Sequence, residues 1–423
     1  MLDYEKVDYF SEPALLEDPY GYYEHLRSKG NVVPMPEHNL VAVLGYDEVV
    51  SVWRDDDNFS AVNAVIGPFG SVPFPSEKDD ISEEIEQFRS QVPFGGLVAT
   101  QDPPLHARTR SLMAGVLTPK RLRDNEAFMW GLTDRQIDTF VERGRFESVG
   151  DFGLPIATQT IADLLGVPEA DHKTFSDLLG RTPIAPGQYG GTAQAGNDPL
   201  AGIGMYFFQK LGERRAQPGD DLLSVLANAT YQDGALPEIA DVIGIAAFLF
   251  AAGQDTTVSL VTAALRVLAE NPDIQAKLRA DRGLIPNFIE EMLRTEGTVK
   301  ALFRLARRPV RIGDVEVRPG THVMLVPAAA NRDPRRFERP HDFVFDRRNA
   351  RENVSFGRGI HACIGSPLAR AETKAALERL FERIGEFRID QAFHGPPGSR
   401  RYDFVPSFMF RVRTSLHLEF DPR

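Results

Sequence analysis

The sequence predicts a mainly α-helical chain with small β-sheets, folded as a single large domain over residues 1–423. Three observations carry that prediction. Helical periodicity recurs along most of the chain, the segment Pro237–Pro272 is apolar nearly all round, and strand character is confined to short stretches. No internal repeat, low-complexity linker or abrupt shift in composition divides the chain.

The elements follow in order. After residues 1–17, an N-terminal extension, Pro19–Gly30 (PYGYYEHLRSKG) reads as a short helix closed by glycine. Asn39–Trp53 reads as a strand followed by a helix. Residues 61–100 show no clear period and are rich in Pro, Gly and Phe; so long a loop in a compact domain is functional or mobile. Pro103–Leu117 begins a helix with prolines at its start, and helical patterns continue over Asn125–Val141 and Leu154–Leu165. Thr182–Gly202, rich in Gly, Pro and Ala, reads as a second loop, a lid or a plain solvated connection. With residues 61–100 it is the expected route of substrate access. The long apolar helix comes next, then a helix over Ile285–Gly297. Pro309–Val326 reads as strands joined by Gly-Asp and Pro-Gly turns, and Ser407–Phe420 has strand character.

Composition excludes several functions. A net charge of −12 argues against a general nucleic-acid or anionic-membrane binder. The N-terminus is acidic and has no apolar signal core, and the longest apolar run, Val242–Gly253, falls short of the roughly 20 residues a membrane span needs. The expected location is the cytoplasm. A single cysteine rules out an internal disulfide and any multi-cysteine zinc site. The nine histidines include no HExxH and no close pair in sequence.

That cysteine is Cys363. It precedes a good helix pattern that starts near Leu368, and a helix N-terminus stabilises a thiolate. Gly357, Gly359 and Gly365 allow positive φ or close passage of a bulky partner. A lone cysteine is most simply a small buried hydrophobe. In this setting it is also a candidate nucleophile, redox sensor or metal ligand, including the axial ligand of a haem iron. Asp255 and Thr256 are polar intrusions in the apolar helix, costly unless partnered and suited to moving a proton. Glu291 and Arg294, three residues apart, share one helix face.

Phe356–Gly365 (FGRGIHACIG) followed by SPLARAE resembles the haem-ligand loop of cytochromes P-450, F-G-x-G-x-H-x-C-x-G-x-x-L-A-R, with every fixed position filled. The resemblance implies that Cys363 is the proximal iron ligand, that Phe356 packs near its sulfur, that Gly357 gives clearance for the haem, and that His361 bonds a haem propionate. Ala251–Thr257 (AAGQDTT) resembles the family's distal oxygen-binding kink, which implies Ala252 against the haem and a catalytic pair in Asp255 and Thr256. Glu291 and Arg294 match the E-x-x-R pair. Its usual third member, an arginine in P-x-R-F, is missing from Pro340-His341-Asp342-Phe343, leaving His341 or a nearby arginine to substitute. His106, Arg110 and Arg304 fall at family positions for propionate contacts. The likeness runs from about Asp18 to the C-terminus and implies the P-450 fold, with haem between the long central helix and the helix after the cysteine loop.

By the same resemblance the chain is a soluble, bacterial-type, ferredoxin-dependent monooxygenase and a monomer. Its cofactor is haem b (iron protoporphyrin IX) and its co-substrate O2. Electrons come from a separate iron–sulfur ferredoxin and its reductase, which draws on NAD(P)H. Arg108, Arg110, Lys120, Arg121 and Arg358 form a candidate docking face. The expected reaction is hydroxylation or O-dealkylation of a hydrophobic terpenoid, aromatic compound or aromatic acid. Pocket residues by family position are Leu249, Ala252, Val299, Lys300, Ala301 and Leu302, with Ser407, Phe408 and Met409 from the C-terminal segment. An inward Lys300 would pair a substrate carboxylate. A peroxide-driven peroxygenase and a haem-based gas sensor are the alternatives, and the Asp255–Thr256 pair counts against both.

Overall fold

The computed structural model describes residues 2–69, 77–114, 117–172, 199–231, 233–421 and 423. Its longer helices are α1 (Tyr20–Lys29), α2 (Tyr46–Arg54), α3 (Leu105–Ala114), α4 (Pro119–Asp138), α5 (Leu154–Leu164), α6 (Pro199–Ala216), α7 (Ile239–Glu270), α8 (Pro272–Ala280), α9 (Ile285–Glu296) and α10 (Ser366–Arg383). The predicted apolar helix is α7. It is buried without interruption from Thr257 to Leu265, where α5, α9 and α10 pack around it. Each fully buried Leu or Val there contributes about 1.5–3 kcal/mol. At 32 residues it is longer than the apolar run in the sequence and long enough to cross a membrane, and 19 of its residues are buried in the fold.

A five-stranded sheet runs in the order β1-β2-β8-β5-β3, where β1 is Val32–Met35, β2 Leu40–Val43, β3 Phe59–Ser60, β5 Leu302–Ala306 and β8 His322–Leu325. Only the β2–β8 pair is parallel. In β5 the period of two puts Leu302 and Arg304 on one face, and both reach the cavity described below. A second sheet, β4-β10-β9 (Arg145–Glu147, His417–Phe420, Phe387–Ile389), closes the far side of α7, and β6 with β7 (Val310–Ile312, Val315–Val317) forms the predicted Gly-Asp hairpin.

Four regions differ from the sequence reading. Within 61–100, the described residues 61–69 and 77–100 contain a helix, Ser82–Phe88, and pack around a small core of Val62, Ile66, Ile81, Ile85 and Val92. Of Thr182–Gly202, residues 182–198 lie outside the described residues, and 199–202 open α6. The C-terminal strand is only β10; upstream of it the chain makes isolated bridges, Val299 with Phe410 and Phe404 with Arg413. Residues 2–17 pack on the body through Tyr9, which is fully buried and donates to the Phe408 carbonyl at 2.8 Å.

Candidate active site

Two left-handed glycines shape the loop that carries Cys363. Gly357 (φ 68°) and Gly359 (φ 74°) adopt backbone conformations that other residues avoid. A Cβ on Gly359 would lie 2.2 Å from the Trp53 carbonyl oxygen, so the loop seats directly on α2. The Cys363 N–H donates to the Phe356 carbonyl at 2.9 Å, and α10 starts at Ser366 with Pro367 in its first turn. Burial pushes the thiol up, opposed by the Gly365 N–H, the Arg110 charge and the Ser366 N–H. The surface that the thiol exposes faces a cavity.

A charged network braces this loop. Glu291 and Arg294 of α9 are fully buried and joined bidentately, with both hydrogen bonds at 2.8 Å. The third member is Arg347, whose Nε donates to both Glu291 oxygens at 3.1 Å. Pro340–Phe343 contributes acceptors instead of a side chain: Arg294 donates to the Pro340 and Asp342 carbonyls, and Arg347 donates to Asp342 as well. His341 is exposed and sits 3.9 Å from Glu24. Arg294 also donates to the Asn331 carbonyl. The Asn331 side chain in turn accepts from the Val354 N–H at 2.8 Å and donates to Ser355 Oγ at 2.7 Å. Glu290 adds a strut to Arg370, whose guanidinium lies 4.7 Å over the Phe356 ring.

The cavity, about 290 Å³, lies between α7 and the cysteine loop. Leu249, Ala252, Gly253 and Thr256 form the α7 wall, continued by Val299 and Leu302. Phe356, Gly357, Cys363 and Leu368 face them, and Ala64, Val65, Val98 and Ala99 close a side. At one end stand Trp53, Arg110, Arg304 and His361. Thr256 Oγ1 donates to the Ala252 carbonyl at 2.9 Å, and α7 runs through this turn without a break. Asp255 lies beside it, outside the lining, and burial alone pushes its carboxyl up to about 7.

Five expected pocket residues do not line the cavity. Lys300 donates its backbone N–H to the Met409 carbonyl at 2.7 Å, so the 299–301 and 409–410 segments zip together. Ala301, Phe408 and Met409 join an apolar core with Tyr9 and Phe303, and Ser407 is buried outside the lining. Lys300 is fully buried outside the wall, where burial and the Arg411 charge push its ammonium down to about 7. The condition for pairing a substrate carboxylate, an inward Lys300, is not what its place outside the lining gives. His106 also misses the lining, but its ring centroid is 4.2 Å from that of His361. Of the expected docking residues, Arg110 is half-buried and lines the cavity. Arg108 sits 4.0 Å over the Tyr231 ring and 3.6 Å from Asp233, and Arg358 donates to the Gly357 and Asn353 carbonyls. Lys120 is exposed, 3.6 Å from Asp124.

Glu372 was not among the predicted site residues. It is buried beside the Thr257 and Thr160 hydroxyls, and burial pushes its carboxyl up to about 8. Its place in the stripe Leu368, Glu372, Ala375, Ala376 on α10 was the available signal, because that spacing faces the core.

Comparison with known proteins decides the family. A family model described as Cytochrome P450 matches residues 206–391. The cytochrome P450 monooxygenase PikC of Streptomyces venezuelae is 32% identical over 381 residues, 88% of this chain and 85% of that protein. Cytochrome P450 107B1 of Saccharopolyspora erythraea is 34% identical over 390 residues, 89% of this chain and 90% of that protein. This chain is a cytochrome P450. Among solved structures, substrate-free cytochrome P450 CYP150A6 of Mycobacterium marinum matches with a TM-score of 0.93 and 46% identity, over 99% of this chain and 100% of that one. CYP109E1 of Bacillus megaterium in complex with corticosterone matches at 0.79 and 26%, over 96% and 99%.

The residues of this P450 fit the haem that the family brings. Arg110 and Arg304 line the cavity end without a carboxylate partner among the described residues. Burial pushes Arg304 down to about 10 and lowers Arg110. Burial and neighbouring arginines hold His361 at about 2 and His106 at about 4, so both rings are neutral donors at physiological pH. His106 Nε2 is buried with no hydrogen-bond partner. Two propionates would supply the missing counter-charges and acceptors.

Proposed function

We propose that this P450 monooxygenase inserts one atom of dioxygen into a hydrophobic small molecule, hydroxylating a C–H bond or removing an O-alkyl group. One observation carries the reading: a thiol and an alcohol stand on facing walls of one apolar cavity, and a half-buried acid neighbours the alcohol. Cys363 is the proposed iron ligand, flanked by Phe356 and Gly357. His106, Arg110, Arg304 and His361 are the propionate donors, and Ala252 gives clearance on the α7 side. When bound, haem supplies the activation of dioxygen, which thiolate donation drives toward O–O cleavage.

The chain's own residues do the rest. Thr256 holds a proton at the cavity wall through Oγ1. Asp255, with a carboxyl at about 7, both takes up and releases protons near neutrality. Leu249, Val299 and Leu302 exclude water and hold an apolar ligand. Away from the arginine end the described lining offers hydroxyls, Thr257, Thr298 and Ser355, and no cation. That favours neutral terpenoids and aromatic compounds over acids, and the corticosterone bound by CYP109E1 supports a ligand of that kind. Electrons are proposed to come from a ferredoxin and its NAD(P)H-dependent reductase, docking near Arg108, Lys120, Arg121 and Arg358. The protein is proposed to act as a cytoplasmic monomer. The acid–alcohol pair favours dioxygen over peroxide as the oxidant.

Two measurements test this. The reduced, carbon monoxide-bound protein should show the strongly red-shifted Soret band of a thiolate ligand, lost in Cys363→Ala. With ferredoxin, reductase, NADH and a terpenoid panel, a substrate that shifts the spin state should be oxidised at the expense of dioxygen. An unshifted band, or turnover with peroxide only, would overturn the reading.

A further inference from the structure

The described stretches 61–69 and 77–101 supply Ala64, Val65, Val98 and Ala99 to the cavity, and one buried carboxylate joins the start of the first to the end of the second. Asp102 is 4% exposed. Its Oδ1 accepts the Ala61 N–H at 2.8 Å, and its Oδ2 accepts from Ser60 Oγ at 2.5 Å, so the start of the segment is bonded to its finish. Two arginines converge on the same Oδ2: Arg89 at 2.6 Å and Arg307 at 2.9 Å. Arg89 comes from inside the segment and also donates to the Gly95 and Thr100 carbonyls, fixing the stretch that carries Val98 and Ala99. Arg307 follows β5, and its backbone bonds Asn58 and Ile81, so the clamp is anchored on the sheet. All four partners are buried, where a charge left unpaired is costly, so the arrangement holds as a unit.

The cavity residues lie within a few positions of these anchors. Ala64 and Val65 follow the Ala61 bond closely, and Val98 and Ala99 precede Thr100 and Asp102 directly. A shift of the segment ends would therefore move cavity wall directly; the cysteine loop touches the segment through the bond between His361 and the Gln101 backbone, while the Cys363 end of that loop is braced separately by Glu291, Asn331 and Arg370. We propose that Asp102, with Arg89 as its second arm, is a positioning residue that fixes the shape of the substrate cavity and so determines which ligands this P450 accepts. The inference rests on the cavity being the substrate site.

The test compares two iron-binding probes in the haem-loaded protein. Imidazole is small and needs only access to the iron, whereas 4-phenylimidazole must also fit the cavity wall. Difference-spectrum titrations of Asp102→Asn should show 4-phenylimidazole binding weakened at least about fivefold and imidazole unchanged within about twofold. Arg89→Met should move the same ratio less, and Ser60→Ala least. Equal changes for both probes, or no change for either, would overturn the proposal. Should Asp102→Asn fail to take up haem, Arg89→Met and Ser60→Ala decide by the same ratio. The carbon monoxide band of each variant keeps this result apart from the monooxygenase reading, because loss of thiolate ligation changes that band and a displaced wall does not.

Discussion

Arg347 donates through Nε to both carboxylate oxygens of Glu291, 3.1 Å from each, across 56 residues of chain. The bond makes Arg347 the third member of the network that steadies the cysteine loop. Removing one partner from a buried ion pair leaves a desolvated charge. With Arg294 still in place, Arg347→Ala should lower unfolding stability by about 3 kcal/mol. His341→Ala, at an exposed site, should stay within about 0.5 kcal/mol. Urea unfolding and haem retention of the two variants check this.

Burial raises the Asp255 carboxyl from 3.8 to about 7, so the folded chain keeps a proton that the unfolded chain releases. Its contribution to stability is complete below about pH 4 and is lost as pH rises to about 7. Asp255→Asn should escape that loss and be more stable than the parent at pH 8 by about 2 kcal/mol, after discounting for partial exposure. Turnover should fall about 100-fold, the usual cost of removing a proton-transfer group. Unfolding midpoints at pH 5 and 8, with product yields, separate the two effects.

Glu372 follows the same sign with a wider window. Its carboxyl rises from 4.5 to about 8, so its contribution is full below pH 4.5 and declines until about pH 8. Glu372→Gln should flatten the stability profile, gaining about 3 kcal/mol on the parent between pH 5 and 8. The amide copies the shape of the protonated acid, so turnover at pH 7 should stay within about twofold. A larger loss would mark Glu372 as a proton source for the cavity.

Without haem, Arg110 and Arg304 remain charged and partly desolvated at the cavity end. Loading should therefore raise Tm, by about 2.7 kcal/mol of stability at a hundredfold excess over Kd. Arg304→Met should weaken haem retention about tenfold, the value of one charge-assisted hydrogen bond. The thiolate-type carbon monoxide band should persist, since the cysteine loop is untouched. Haem transfer to apomyoglobin measures the retention.

The parts of the site that the sequence made legible are those where a residue type has a steep local cost. Asp255 and Thr256 stand out because α7 is apolar around them, and Gly357 and Gly359 because their backbone takes positive φ. What depends on distant pairing was hidden. A nearby arginine is the expected substitute in the Glu291 network, but that it is Arg347 and not His341 is hidden in the sequence, because Pro340–Phe343 supplies carbonyls there and no side chain. Family position places Phe408 and Met409 in the pocket, but an apolar run does not tell which face it presents, and here they meet Tyr9 from the chain's start. The Ser82–Phe88 helix escaped notice because it is short and strongly acidic, with Ile85 its only buried residue.

Cys363 is the only sulfhydryl in the chain, and the surface it exposes opens into the cavity. An alkylating reagent small enough to enter can consume at most one equivalent, and a haem seated against that sulfur would shield it. The mass spectrum of a labelled sample therefore counts vacant molecules directly: the intensity of the singly modified species gives the empty fraction, with no second thiol to correct for.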